Sequence, residues 1–338
     1  MYKKDMNNKP YFDSLFLRRL RRIITRIIPK SPMEMSLQAP DYDKEWWTNI
    51  SDEDLQTYLS DLIISRKPFL LTRFGCGVLK AAIDVDNKPD LRNIYRYVTG
   101  RTDAIGIQYG TGSILPNDGF YPITYSAIQE YGQLILNCIP NIDILATIMY
   151  QDRYFSKQLG DKVRCSFPAL EPFHFEHPWT AALENKKVLV IHPFAQTIEY
   201  QYNHHREQLF DNPRVLPKFE LQTLRAVQSK YISGDTYDTK YETWFDAYEF
   251  LKTEVDKRDF DVAILGCGGF GMPLGAHIKA IGKQAIHLGG GVQYLFGIRS
   301  HRGDNLPHIS KYYNDYWIRP FDSERPAHYQ KVEDGCYW

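Results

Sequence analysis

The feature that most restricts the fold of this chain is the stretch DVAILGCGGFGMPLGAHIKAIGKQAIHLGGG, which runs from Asp261 to Gly291. A short apolar run leads into the glycine-rich segment Gly266–Gly271, and an amphipathic run then ends at Gly282. A second apolar run ends at Gly289–Gly291. Short apolar runs bounded by glycine are typical of buried strands, and amphipathic runs are typical of helices. The stretch therefore predicts a strand–helix–strand unit of a parallel sheet.

The same alternation occurs along most of the chain. Further strands are predicted at Phe69–Thr72, in IDILATIM and in KKVLVIHPF, and helices are predicted between them. Strands that alternate with helices predict an α/β fold, here a Rossmann-like, mostly parallel sheet with helices on both faces. We predict one domain over residues 41–338, with halves at about 41–178 and 179–338, after an arm and linker at 1–40.

Composition restricts the class of partner. The chain has 41 Lys plus Arg and 41 Asp plus Glu, so its formal net charge is zero, which argues against a nucleic-acid partner. Its 5 cysteines form no C-x-x-C pair, a pattern expected in a reducing compartment without a structural zinc site. The sequence has no cleavable signal peptide and no run long enough to span a bilayer, so a cytoplasmic location is expected.

Residues 15–28, within LFLRRLRRIITRIIPK, predict a basic helix. Its apolar residues recur at helical spacing, and its five arginines fall mostly on the other face. Such a helix can lie on an anionic membrane surface, here the inner face of the membrane. It can equally dock its apolar side on its own domain or on a second subunit, and the sequence leaves both alternatives open.

Four predicted strands end in residues suited to binding an anion or transferring a proton. Ligands of open parallel sheets bind outside the carboxyl ends of the strands, so we predict a binding site there. The predicted ligand-binding residues are Arg73, Gly75, Gly266, Gly268, Gly269, Gly271, Gly289, Gly290, Gly291 and Thr197.

The glycine-rich segment does not predict a dinucleotide. A dinucleotide site has an acidic residue about 20 residues after its first glycine, for the ribose hydroxyls. Here that region reads His287-Leu288-Gly289 and has no carboxylate. The segment therefore favours a phosphate or diphosphate, and the alternative is that its glycines serve only the packing of helix on strand.

Other residues are candidates for catalysis or for contacts with a sugar. His192 and Glu171 are the candidate general bases, with Arg73 as the charged partner. Asn117 and Asp118, in the hairpin-like NDGFYP, and Gln201 are predicted to contact an acceptor or sugar. The stretch ALEPFHFEHPW around Glu171 is rich in His and Glu, but its spacing matches no zinc motif, so no metal ligand is predicted.

In their order and context, LLTRFGCGVLKA, KKVLVIHPF and the glycine-rich stretch resemble bacterial GT-D-type glycosyltransferases, over about residues 60 to 300. The resemblance implies a Rossmann-like fold, a nucleotide-diphosphate sugar as donor, and a glycan or lipid-linked acceptor in cell-surface polysaccharide assembly. It also implies a divalent metal held by an Asp-x-Glu motif.

The chain departs from that family at the metal motif. Cys76 and Val78 stand at the positions of the two acidic residues, and hard cations prefer oxygen ligands. The departure leaves two alternatives: an enzyme in which Arg73 and helix N-termini balance the diphosphate charge, or a catalytically degenerate partner that binds a sugar nucleotide or docks on an enzyme. An enzyme that uses S-adenosylmethionine or NAD is the third alternative.

Overall fold

The computed structural model describes residues 15–27, 47–101, 105–107, 109–228, 240–326, 329–331 and 333–338. Its sheet has seven strands, all parallel, in the order β3-β2-β1-β7-β6-β4-β5. The strands are β1 (Phe69–Thr72), β2 (Ile144–Thr147), β3 (Val163–Ser166), β4 (Lys187–His192), β5 (Glu220–Arg225), β6 (Val262–Leu265) and β7 (Gln284–His287).

Helices connect these strands, as the sequence pattern predicts for an α/β fold. The helices of the described residues are α1 (Leu15–Ile27), α2 (Asp52–Ser65), α3 (Cys76–Asp86), α4 (Leu91–Val98), α5 (Tyr109–Ile114), α6 (Tyr125–Cys138), α7 (Ser156–Leu159), α8 (Ala195–His205), α9 (Trp244–Asp256), α10 (Gly271–Ala280), α11 (Gly291–Leu295), α12 (His301–Asp304) and α13 (Pro307–Ser310). None of the helices in the described part of the chain has the length and apolar character that crossing a bilayer requires.

The sheet separates two apolar cores, one on each face. Successive residues of β6 alternate between them: Ala263 and Leu265 belong to one core, and Val262 and Ile264 to the other. This alternation follows from the period of two in a strand, and every residue of β6 is buried because both faces are covered. The predicted Rossmann-like α/β fold is thus confirmed.

Both halves of the chain contribute to the one sheet, and they meet where β1 pairs with β7. From β1 the chain continues through β2 to β3, at one edge of the sheet. The second half begins at β4, continues to β5 at the other edge, and then returns through β6 to β7 beside β1. Connections from β4 and β6 consequently leave in opposite directions, which opens a crevice at their carboxyl ends. Leu265 is aligned with Ile191 of β4 and with His287 of β7, so these ends are level.

Two local predictions are corrected by the structure. NDGFYP is not a hairpin, because Leu115–Asp118 form a 3-10 helix that ends at Gly119 in the left-handed region. Strands β3 and β5 were not predicted, since VRCS and ELQTLR are rich in polar residues. Both strands lie at the edges of the sheet, where less of a strand is buried.

Candidate functional site

A cavity lies at the carboxyl ends of β1, β7, β6 and β4, and we call it the rim cavity. The space between its walls, including space continuous with solvent, is about 870 Å³. Eight of the residues predicted from the sequence line it: Arg73, Asn117, Asp118, His192, Gly266, Gly268, Gly289 and Gly290.

Arg73, which follows β1, brings a positive charge to the rim cavity. Its Nη1 lies 3.4 Å from the carbonyl oxygen of Phe74, and its guanidinium lies 5.4 Å from the centre of the Phe167 ring. Its buried Nε has no hydrogen-bond acceptor, and no carboxylate among the described residues forms an ion pair with the guanidinium. A buried donor without an acceptor costs about 1–3 kcal/mol, so an anion placed here would recover that cost.

The positive charge of Arg73 contributes to the pKa shifts of two buried neighbours. Burial lowers the pKa of His287 to about 3, and the nearby Arg73 lowers it further. Burial raises the pKa of Asp152 to about 6, against the effects of its hydrogen bonds from the backbone N–H groups of Ile148 and Met149 and of Arg73. Arg73 thus acts in the same direction on both groups, because a nearby cation lowers the pKa of a histidine and of a carboxyl alike.

Two glycine turns shape the wall of the rim cavity. Gly268 and Gly289 have φ of +57° and +58°, a conformation that side chains rarely adopt. A Cβ on Gly289 would lie 2.5 Å from Nη2 of Arg73, and one on Gly268 would lie 2.8 Å from the carbonyl oxygen of Asp118. The two turns therefore keep the backbone close to Arg73 and to the 3-10 helix that carries Asp118.

The remaining predicted glycines do not line the rim cavity. Gly271 lies against the ring of His287, and a Cβ on Gly269 would lie 2.8 Å from the hydroxyl of Tyr131. Gly75 packs on Asp118, and Gly291 begins α11. For Gly75, Gly269 and Gly271 the structure supports close packing rather than contact with a ligand, whereas a Cβ on Gly291 would meet only Leu288, at 3.9 Å.

His192, at the end of β4, faces the rim cavity as a neutral ring. Its Nδ1 accepts a hydrogen bond of 3.0 Å from the backbone N–H of Phe194, and burial lowers its pKa to about 3. Since Nδ1 accepts, the proton of the neutral ring is on Nε2. His192 is consequently a hydrogen-bond donor in this state, and not the general base that its position in the sequence suggested.

Asp118 brings a carboxylate to the first turn of α3. A Cβ on Gly75 would lie 2.8 Å from its Oδ1, and a Cβ on Gly77 would overlap its Oδ2. This is the turn on which the resemblance places two acidic residues, at Cys76 and Val78. One carboxylate therefore lies at this turn, and it is supplied by the 3-10 helix that ends at Gly119.

The first turn of α3 does not fit a divalent metal. Cys76 contributes a thiol whose sulfur lies 3.2 Å from that of Met149, and Val78 contributes no donor. Mg²⁺ and Mn²⁺ require several oxygen ligands. In the part of the chain that the structure describes, no group of three or more His, Cys, Asp or Glu side chains is arranged to hold a metal ion.

Sequence reasoning missed two residues of the rim cavity whose buried polar atoms have no partner. Gln293, on α11, is 1% exposed, and neither its Nε2 nor its Oε1 has a hydrogen-bond partner. The indole N–H of Trp338 is also buried without an acceptor. Both residues line the rim cavity together with Arg73. Three side chains with unsatisfied polar atoms around one cavity indicate a site built for a polar ligand.

Thr197 and Gln201, both predicted to bind ligand, lie on α8 outside the lining of the rim cavity. Thr197 donates a hydrogen bond of 2.5 Å to Glu324. The side-chain amide of Gln201 donates bonds of 2.9 Å to the carbonyl oxygens of Gly297 and Tyr316. Both side chains are fully buried and hold neighbouring segments, although Oε1 of Gln201 has no hydrogen-bond partner.

Glu171 also lies outside the lining of the rim cavity, in a group that we call the Glu171 cluster. Its Oε2 lies 2.8 Å from Nε2 of His174 and 3.9 Å from Nε2 of His308. Nδ1 of His174 in turn lies 3.1 Å from the hydroxyl of Tyr312. Glu171, His174 and Tyr312 thus each have a partner within the protein, and Glu171 does not line the rim cavity.

Comparison of the chain with protein-family models, with curated proteins and with solved structures finds no match.

Proposed function

We propose that this protein is a glycosyltransferase that binds a nucleotide-diphosphate sugar in the rim cavity and transfers the sugar to a glycan or lipid-linked acceptor of a cell-surface polysaccharide. One observation carries the proposal: the guanidinium of Arg73 faces the cavity beside the Gly289 turn and has no anionic partner among the described residues. A diphosphate is an anion that such a guanidinium binds through two parallel hydrogen bonds.

Backbone groups would share the diphosphate with Arg73. The 3-10 turn that begins at Gly268 leads into α10. At α11, by contrast, the N–H groups of Gly291 and Val292 already donate to backbone carbonyl oxygens. The first N–H groups of a helix have no partner within it and favour an anion. Hydrogen bonds to charged groups contribute about 1.5–3 kcal/mol each, which suits a tightly held diphosphate.

In this proposal His192 and Asp118 perform the chemistry. The acceptor hydroxyl oxygen forms a bond to the anomeric carbon while the bond from that carbon to the donor phosphate oxygen breaks. The hydroxyl proton passes to the carboxylate of Asp118, and the nucleoside diphosphate leaves. Nε2–H of His192 donates to the phosphate oxygen on which charge develops, and Arg73 neutralises the diphosphate.

A panel of nucleoside diphosphates and nucleotide sugars, read by thermal shift and by release of nucleoside diphosphate, tests the proposal. We expect at least one nucleotide sugar to stabilise the protein and to be turned over. Asp118→Asn should lower turnover about 100-fold or more, the usual contribution of a general base, while ligand affinity stays within a few-fold.

Two results would contradict the proposal. If no nucleotide sugar of the panel binds, the assignment of the rim cavity is wrong. If a nucleotide sugar binds but the wild-type protein does not transfer the sugar to any acceptor tested, the catalytic part of the proposal fails. The protein would then be a partner that binds a sugar nucleotide. The replacement of two acidic residues by Cys76 and Val78 favours that second candidate.

A further inference from the structure

Helix α1 exposes large apolar side chains although one side of it is packed. Leu17 is buried, and the guanidinium of Arg21 lies 4.7 Å from the centre of the Tyr97 ring of α4. In contrast, four large apolar side chains of the helix are exposed. They are Leu15 (71%), Phe16 (70%), Ile23 (57%) and Ile27 (77%). Docking on α4 therefore accounts for only part of the apolar surface of α1.

The exposed apolar residues form a stripe beside a row of arginines. Phe16, Ile23 and Ile27 are separated by seven and four residues, so they lie along one side of the helix. Arg19, Arg22 and Arg26 follow at three- and four-residue spacing and are exposed as well. The helix contains no acidic residue. The side of α1 turned away from the protein is thus apolar along one edge and positive along the other.

The positive charge of α1 is a local feature of the chain. The whole protein has a formal net charge of zero, yet α1 contributes five arginines and no acid within Leu15–Ile27. Helix α4, on which α1 packs, adds two further exposed apolar side chains, Leu91 (87%) and Tyr95 (56%). Exposed apolar groups next to the exposed Arg19, Arg22 and Arg26 match a surface that is both apolar and anionic.

We propose that the exposed side of α1 binds the surface of an anionic phospholipid bilayer. The arginines would lie among the lipid phosphates, and Phe16, Ile23 and Ile27 would enter the boundary between headgroups and acyl chains. A nucleic acid would match the arginines but leave the apolar stripe in water. This inference is independent of the proposed transferase activity and stands if that activity fails.

Vesicle co-sedimentation of the full chain tests the inference. We expect the protein to bind vesicles of phosphatidylcholine with phosphatidylglycerol, and to bind vesicles of phosphatidylcholine alone at least tenfold more weakly, because the attraction depends on lipid charge. Binding to the anionic vesicles should weaken as salt is raised.

Two variants separate the charge from the apolar stripe. Arg22→Glu with Arg26→Glu should weaken binding to the anionic vesicles by about 30-fold or more. Ile23→Ser with Ile27→Ser should weaken it about tenfold while net charge stays constant. Lys157→Glu with Lys218→Glu makes the same change in net charge at exposed sites outside α1, and should leave vesicle binding within about twofold.

Three results would overturn the inference. The first is equal binding to both kinds of vesicle, and the second is an equal loss in the Lys157 and Lys218 variant. The third is a wild-type protein that binds neither vesicle and whose oligomeric state changes with Ile23→Ser and Ile27→Ser, because α1 would then be an interface between protein chains. Nucleotide binding, measured in the same variants, should be unchanged, which keeps this test separate from that of the rim cavity.

Discussion

The rim cavity and the Glu171 cluster are both polar groups at the edge of an apolar core, and they differ in how their polar atoms are satisfied. In the Glu171 cluster the carboxylate meets His174, and His174 meets Tyr312. In the rim cavity Arg73, Gln293 and Trp338 each have a buried nitrogen without a partner.

The difference separates structural polar groups from those arranged for a ligand. Burying a donor without an acceptor is costly, so such groups persist in a fold where water or a ligand completes them. The Glu171 cluster is complete, whereas the rim cavity contains buried polar atoms without a partner, and under our proposal an anionic ligand completes them. Mutations should therefore affect stability in the first region and binding in the second.

The largest effect is expected at Arg73. Arg73→Ala should weaken binding of a nucleoside diphosphate about 100-fold, because two charge-assisted hydrogen bonds are lost, and should not lower the melting temperature. Arg73→Lys should recover only part of the affinity, since a lysine lacks the planar fork. Calorimetric titration measures both. Arg214→Ala, at an exposed arginine, is the control, and an equal loss in that variant would remove the contrast.

Glu171→Gln should show the opposite pattern. We expect the free energy of unfolding to fall by about 2 kcal/mol, since a charged acceptor of His174 is lost, and nucleotide affinity to stay the same. Urea unfolding and the same titration test this. Glu176→Gln changes an exposed neighbour and should alter neither quantity. If Glu171→Gln lost nucleotide binding and kept its stability, Glu171 would be part of the ligand-binding site after all.

The pH dependence of stability should depend on His192. Its pKa is lowered from 6.5 to about 3 in the fold, so below pH 6.5 the unfolded chain binds a proton that the folded protein does not. The contribution of His192 to the free energy of unfolding is therefore complete above pH 6.5. It is lost as the pH falls below that value, at about 1.4 kcal/mol per pH unit. His287 acts in the same direction, and Asp152, whose pKa is raised, acts in the opposite one.

Comparison with His192→Gln isolates this contribution, because His287 and Asp152 are present in both proteins. Urea unfolding from neutral pH down to about pH 5 should give a shallower slope for the variant. Identical slopes would show that His192 is protonated to the same extent in both states, and would undo its assignment as a neutral donor.

The smallest effect is expected at Gln293. Gln293→Met replaces the unsatisfied amide with an apolar side chain of similar size, so the unliganded protein should be as stable as the wild type or more so. Nucleotide affinity should fall about fivefold, corresponding to one hydrogen bond. Thermal melts with and without ligand test both expectations. A variant that is destabilised without ligand would place Gln293 among the structural polar groups, with Glu171.

The residues at the strand ends were predictable because a parallel sheet brings its carboxyl ends to one edge. Each of Arg73, His192 and the two glycine clusters follows a short apolar run whose length and composition identify a strand. The order of the strands was not needed to predict that these residues converge. Their convergence in the rim cavity is therefore the part of the site that could be predicted from the sequence.

The other residues depend on contacts between distant segments, which no local pattern encodes. Gln293 lies within an ordinary apolar run, and Trp338 reaches the cavity from a segment without regular periodicity. Thr197 and Gln201 lie four residues apart on α8, but their side chains meet Glu324 and Gly297 and do not line the rim cavity. Whether a polar group is satisfied can be read only from the folded chain.

A calorimetric titration of a nucleoside diphosphate into the wild type, Gly289→Ala and Gly290→Ala tests the central claim most directly. A Cβ on Gly289 would collide with the guanidinium of Arg73, whereas one on Gly290 would meet only Tyr337, at 3.7 Å. We predict that the wild type and Gly290→Ala bind alike and that Gly289→Ala loses most of the affinity. Equal affinity in all three proteins, or no binding by the wild type, would contradict a diphosphate site at Arg73.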